Sequence, residues 1–139
     1  MILLDTNVLS PLISETRDLA VVSWLDRHAR VSIWTTSINV FEVKFGLNIM
    51  PDGKRRRVLE ETFQTFIADF LENRVAMFDV KAAMSAASYS SKRRSLGRPV
   101  EIRDTLIAGL AISLGATLAT RNIRDFEHSG LELVNPWDA

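Results

Sequence analysis

The chain has 139 residues, enough for one domain with a buried core. Hydrophobic residues make up 47% and charged residues 24%, which excludes a disordered chain. Seventeen Lys and Arg balance seventeen Asp and Glu, so bulk positive charge is not available to coat nucleic acid, and the absence of cysteine excludes a disulfide framework, a Cys-zinc or iron–sulfur site and a cysteine nucleophile.

The neutral total conceals two basic groups, Lys54–Arg57 and Lys92, Arg93, Arg94 with Arg98. Local runs of this kind can still hold a phosphate backbone, and Arg93, Arg94 and Arg98 are the candidates for that contact. The opening Ile2-Leu3-Leu4 stops at Asp5 with no basic region before it, unlike a signal peptide. The longest uncharged stretch, Thr105 to Thr120, falls short of the ~20 residues of a membrane span. A cytoplasmic location is therefore expected.

In chain order, Ile2–Leu4 reads as a buried strand. An amphipathic helix spans roughly Leu19 to Ala29, with Val22, Leu25 and Ala29 on one face. Val31 to Thr35 alternates and leads through a Thr-Thr-Ser cap signal into a helix from about Ile38 to Met50, stopped by Pro51-Asp52-Gly53. A long helix from Lys54 to Glu72 carries Val58, Phe63, Phe66, Ile67 and Phe70. Val75–Phe78 reads as a strand, and Asp79 caps a helix from Val80 to about Lys92. A last helix, Arg103 or Asp104 to Leu114, ends at Gly115. Thr117–Ala119 and Leu131–Val134 read as strands. Strands alternating with helices specify an α/β fold, a central parallel sheet flanked by helices on both faces, in a single domain over residues 1–139.

Acidic residues stand where this fold gathers chemistry. Asp5 follows a buried strand, at the edge where open α/β sheets bind ligands, although it could equally cap the next helix. Glu42 shares a helix face with Ile38 and Phe45, and a carboxylate there is costly unless it is paired or binds a metal. The glycine one turn on, Gly46, leaves space above it. Asp104 heads a helix face of Ile107, Ala108 and Ala111, where the helix dipole also favours an acid. Thr120 to Phe126 follows another buried strand and offers Asn122 and Asp125. Carboxylates converging at one edge would repel unless they held divalent cations. Oxygen ligands without His or Cys suit Mg²⁺ or Mn²⁺, which in turn suit phosphoester hydrolysis.

These residues resemble a family. Met1-Ile-Leu-Leu-Asp5-Thr6-Asn7, Ser37-Ile-Asn-Val-Phe-Glu42 with Gly46, Arg103-Asp104-Thr-Leu-Ile-Ala-Gly, and Ala119-Thr120-Arg121-Asn122 with Asp125 follow in the order of PIN-domain ribonucleases, specifically VapC-type toxins. Val134-Asn135-Pro136-Trp137 resembles the tail of the FitB-like branch. The resemblance implies a PIN-like domain, Mg²⁺-dependent RNA cleavage, a homodimer and inhibition by a cognate antitoxin protein. It implies Asp5, Glu42 and Asp104 as metal-binding acids and Thr6, Asn7 and Thr120 as supporting polar residues. Many members carry Asp where this chain has Asn122, so either Asp125 substitutes from the next turn or Asn122 supports the fourth position through a water.

Rival readings fit less well. A phosphoacceptor receiver module needs an acidic neighbour for Asp5 and a late Lys, and both are absent. A DxD phosphatase needs an acid at Asn7. Metal-free ribonuclease chemistry needs paired general acid and base, and His28 and His128 read as solvated. A catalytically weak PIN domain that binds RNA or protein is the alternative to a nuclease.

Overall fold

The computed structural model describes residues 1–139. Five parallel strands, β1 Ile2–Leu4, β2 Ile33–Thr36, β3 Val75–Ala76, β4 Thr117–Ala119 and β5 Leu133–Val134, form one sheet in the order β3-β2-β1-β4-β5. Side chains alternate along a strand, so the apolar run of β1 feeds both faces. Leu4 packs with Val8, Leu9, Trp24, Val43, Leu47 and Phe63, whereas Leu3 packs with Tyr89, Ile107, Leu110 and Phe126. The first face is covered by α1 Thr6–Ile13, α2 Leu19–Asp26, α3 Ser37–Ile49 and α4 Lys54–Thr65, and the second by α5 Val80–Ser95 and α6 Ile102–Leu114. This is the expected α/β arrangement with helices on both faces.

The strand order fixes where ligands can enter. From β1 the chain moves outward through β2 and β3, then returns to the other side of β1 as β4. The reversal lies between β1 and β4, and such a switch point opens a crevice at the carboxyl ends of the strands. Asp5 and Thr120 are the first residues beyond those two ends. The Asp5 backbone N–H donates to the Ala119 carbonyl at 2.9 Å, which ties the two ends together.

Local signals set most boundaries. Asp5, Asp18, Thr36, Asp79 and Glu101 each accept a backbone N–H at the start of a helix. Gly115 ends α6 in the left-handed region at φ 60°.

Several expectations are corrected. The α2 helix stops at Asp26, and its buried face is Val21, Trp24 and Leu25, leaving Ala29 exposed beyond it. His28 is half-buried rather than solvated, because its ring lies 4.7 Å from Trp24 and its Nδ1 is 2.9 Å from the Trp24 carbonyl. The long helix expected to Glu72 changes at Phe66 into a π-helical turn, Phe66–Phe70. That wider turn stacks Phe66 on Phe70 and delivers Leu71 to the core, and positive φ at Glu72 and Asn73 ends it. The β3 and β5 strands are shorter than expected, and α5 runs three residues further, to Ser95.

The apolar residues of α3 divide between core and solvent. Its buried side is Asn39, Val43 and Leu47, whereas Phe41, Phe45 and Ile49 are more than 45% exposed. Of the face that Glu42 shares with Ile38 and Phe45, Ile38 packs against the core and Phe45 lies open to solvent.

Candidate active site

Asp5 is the hub. It is buried, yet both carboxylate oxygens are occupied. Oδ1 accepts the Thr6 backbone N–H at 2.8 Å and Asn39 Nδ2 at 3.0 Å, and Oδ2 accepts the Thr120 hydroxyl at 2.7 Å and Asn7 Nδ2 at 3.4 Å. The cap and the site readings of Asp5 are thus both realised: one oxygen starts α1 while the rest of the group faces the switch point. Burial raises its pKa above the ordinary carboxylate value, these hydrogen bonds oppose the rise, and the charge of Asp125 adds to it.

Three side chains, Thr120, Asn7 and Asn39, fix that carboxylate, and the Thr6 hydroxyl links the group to Glu42. Thr120 is wholly buried, and its oxygen also accepts the Asn122 backbone N–H at 3.1 Å. Asn7 spans from Asp5 and Thr120 to the Arg121 backbone N–H, which it accepts at 3.0 Å. The Thr6 hydroxyl donates to Glu42 Oε1 at 3.0 Å and accepts from Asn39 Nδ2 at 3.0 Å. Sequence reasoning misses Asn39 as a site residue. It is wholly buried, its Oδ1 accepts the Thr36 hydroxyl at 2.6 Å, and it joins the start of α3 to both Asp5 and Thr6. The available signal was its spacing: Asn39 lies three residues before Glu42, so the two share a helix face.

Glu42 is half-buried beside Thr6. Burial raises its pKa, Asp5 and Glu101 raise it further, and Thr6 and Arg103 lower it. Its Oε2 lies 3.6 Å from Arg103 Nη1. A cleft of about 550 Å³ opens beside Thr6 and Glu42, with Ser10, Gly46 and Arg55 on its walls. A side chain at Gly46 would meet nothing within 4 Å, consistent with the space expected above Glu42.

Asp104, in the first turn of α6, is the most perturbed acid. Its pKa is pushed up to about 7, chiefly by burial and then by the charges of Asp5, Asp125, Glu101 and Glu42. No hydrogen bond or ion pair offsets this. Its carboxylate has no donor partner, and its backbone N–H is capped by Glu101 at 3.4 Å. Asp125 is exposed in a short 3-10 turn, Ile123–Phe126, yet its charge reaches both Asp5 and Asp104. Asn122 is exposed and precedes that turn without a side-chain cap bond. The sheet edge therefore groups Asp5, Glu42, Asp104 and Asp125 electrostatically, although no three acids are drawn close enough to form a ready-made metal cage.

The basic groups divide differently from expectation. Arg93 is corrected outright as an RNA contact. It is 6% exposed, and its guanidinium donates to the Arg98 carbonyl at 2.9 Å, the Tyr89 hydroxyl at 2.9 Å and the Glu127 carbonyl at 2.7 Å. A buried guanidinium with these acceptors is a structural strut that ties α5 to the loops on either side of α6. Arg94 and Arg98 remain on the surface, Arg98 within 3.7 Å of Glu127. His128 is exposed in a loop, as expected.

The PIN domain family model matches residues 2–130. The chain is 36% identical to the VapC ribonuclease Y4jK of Sinorhizobium fredii over 99% of each protein, and 31% identical to the toxin FitB of Neisseria gonorrhoeae over 99% of each. Its fold matches the crystal structure of FitAcB from Neisseria gonorrhoeae with a TM-score of 0.91 over the whole of both chains, at 31% identity. Matches of this length, together with a parallel sheet whose switch point carries the acids, make the chain a member of the PIN-domain family, in the group that holds the VapC and FitB proteins.

Proposed function

We propose that the chain is a divalent-cation-dependent endoribonuclease, the toxin of a toxin–antitoxin pair, in one domain over residues 1–139. The carrying observation is Asp104, a half-buried carboxylate with no donor partner among four further acids, its pKa pushed up to about 7. A group in that state lacks a countercharge. The donor set is all oxygen, which fits Mg²⁺ or Mn²⁺ and no softer ion. Asp5, Glu42 and Asp104 would hold the ion, with Asp125 reaching it directly or through water. A bound divalent cation supplies neutralisation of the phosphate charge and a more acidic water.

The chain's own residues do the positioning. Thr120, Asn7 and Asn39 hold the Asp5 carboxylate in one orientation, and Thr6 holds Glu42 against the same edge. Such pre-set ligands avoid rearrangement during the reaction. Arg94 and Arg98 are the surface cations available to the RNA backbone near α6. The ribonuclease name of one relative and the toxin name of another support the reading.

A toxin has a cognate antitoxin, and the acidic edge suits an antitoxin arginine, since guanidinium pairs well with carboxylates. The exposed Phe41, Phe45 and Ile49 of α3 suit pairing with a second copy of the chain. No helix is long and apolar enough to cross a membrane.

Incubating the purified chain with RNA tests the activity. Cleavage should stop in excess EDTA and return with Mg²⁺ or Mn²⁺. Binding of RNA without cleavage under any divalent ion would favour the alternative of a catalytically weak binding module. Within the site, Asp125→Ala should raise the Mg²⁺ concentration needed for half-maximal cleavage more than Asn122→Ala does, because only Asp125 adds negative charge at Asp5 and Asp104. Equal Mg²⁺ requirements for the two variants and the wild type would make Asp125 a turn residue only.

A further inference from the structure

Arg103 stands out among the cations of this sheet edge. It occupies the first turn of α6, immediately before Asp104. Its Nη1 lies 3.6 Å from Glu42 Oε2, and its Nε lies 3.4 Å from Glu101 Oε1. The two contacts differ in origin. Glu101 is two residues away, at the cap of the same helix, and that contact is local. Glu42 sits on α3, sixty-one positions earlier in the chain by the two residue numbers, and that contact exists only in the folded protein. The N-terminal end of a helix disfavours a cation, so α6 itself gives no reason for Arg103 to be there. The acids supply one.

The Arg103 side chain is 44% exposed and the Glu42 side chain 17% exposed. The pair is therefore reachable and loosely held, at the long end of ion-pair distances. A pair of this type is weak and exchangeable. Arg103 also meets Glu42 on the oxygen opposite the one that Thr6 binds, so between them both oxygens are engaged. A cation that uses Glu42 must share or take the Oε2 position.

We propose that Arg103 is a built-in stand-in for the divalent cation at Glu42, so that the ion has to displace it and Arg103 sets how much ion the site needs. The proposal rests on Asp5, Glu42 and Asp104 being the metal ligands. In the metal-free protein the guanidinium neutralises the one acid of the three that it can reach and leaves Asp104 uncompensated. Filling the site requires Glu42 to turn from Arg103 toward the ion, and the released guanidinium goes to Glu101 and solvent. Cation affinity is thus held below what the carboxylates alone would give.

The test is a thermal-shift titration of the purified chain with MgCl₂, repeated with MnCl₂, from a chelated start. Arg103→Ala should lower the concentration needed for a fixed metal-induced rise in melting temperature by about 3–5-fold, the size expected of a weak, half-exposed pair. Arg103→Lys keeps the charge and should stay closer to the wild type. Arg124→Ala removes another exposed cation, next to Asp125, that makes no contact with Glu42, and should leave that concentration near the wild-type value. An unchanged or higher concentration for Arg103→Ala overturns the proposal, and so does an equal fall for Arg124→Ala, which would make the effect one of bulk charge. The parent reading fails in a different way: the wild type would then show no metal-induced rise at all.

Discussion

Asp104→Asn should reduce RNA cleavage by about 10³-fold, the scale of losing a group that stabilises transition-state charge, while making the metal-free protein more stable at pH 8. The two effects have one cause. Asp104 is pushed up to about 7 from an ordinary value of 3.8 by burial and by Asp5, Asp125, Glu101 and Glu42. A carboxyl whose folded pKa is raised favours the fold while it is protonated. That contribution is present below about pH 4 and is lost as the pH rises through 7, so at pH 8 the folded chain carries an unfavourable charge. The neutral amide of Asn removes it. Because the group is only half-buried, solvent screening reduces the gain to roughly 1 kcal/mol, or about 3 °C in melting temperature. The gain should shrink toward pH 5, where Asp104 is already protonated, and Mg²⁺ should raise the melting temperature of the wild type more than that of the variant. Thermal melts at pH 5 and pH 8, with EDTA and with Mg²⁺, read all of this. A variant destabilised at pH 8 without metal would remove the repulsion on which the assignment rests.

Gly109→Ala should unfold the protein more readily, although alanine is the better helix former by about 1 kcal/mol. Gly109 is buried in α6 against α5. A Cβ there would stand 2.5 Å from the Ala86 Cα and backbone N. Those are backbone atoms, so the clash is relieved only by moving one helix off the other. Overpacking of this kind costs about 3 kcal/mol, for a net loss of about 2 kcal/mol and a fall of roughly 6 °C in melting temperature. Because α6 carries Asp104, the same shift should weaken cleavage in the protein that remains folded. Ala86→Gly in the same chain should restore only part of the loss, since the α5 backbone atoms remain. A Gly109→Ala variant as stable as the wild type would mean that the helices pack less closely than described.

What was legible in the sequence was local. Ile2-Leu3-Leu4 before Asp5, the Thr-Thr-Ser start of α3 and Gly115 after α6 each have a short-range physical cause, and the elements they mark are present. Alternating strands and helices were enough for the parallel sheet and its two covered faces. What was not legible depends on partners far away in the chain. Arg93 reads as a surface charge until the Glu127 carbonyl and the Tyr89 hydroxyl are seen around it. Asn39 reads as an ordinary residue near a cap until Asp5 and Thr6, more than thirty positions away, accept from it. The α3 phenylalanines mark a different limit. Apolar periodicity says which residues share a face but not whether that face meets the core, and here the core takes Val43 and Leu47 instead.

The most direct measurement is the chemistry of the cut ends. A short RNA of defined sequence, cleaved by the purified chain with Mg²⁺, should give fragments with 5′-phosphate and 3′-hydroxyl ends if Asp5, Glu42 and Asp104 hold the ion as proposed, because the attacking group would then be water and not the neighbouring ribose 2′-hydroxyl. The same RNA with a 2′-deoxy sugar at the cleaved position should therefore still be cut. Fragments ending in 2′,3′-cyclic phosphate, formed equally well in excess EDTA, would contradict the acid cluster as the catalytic centre.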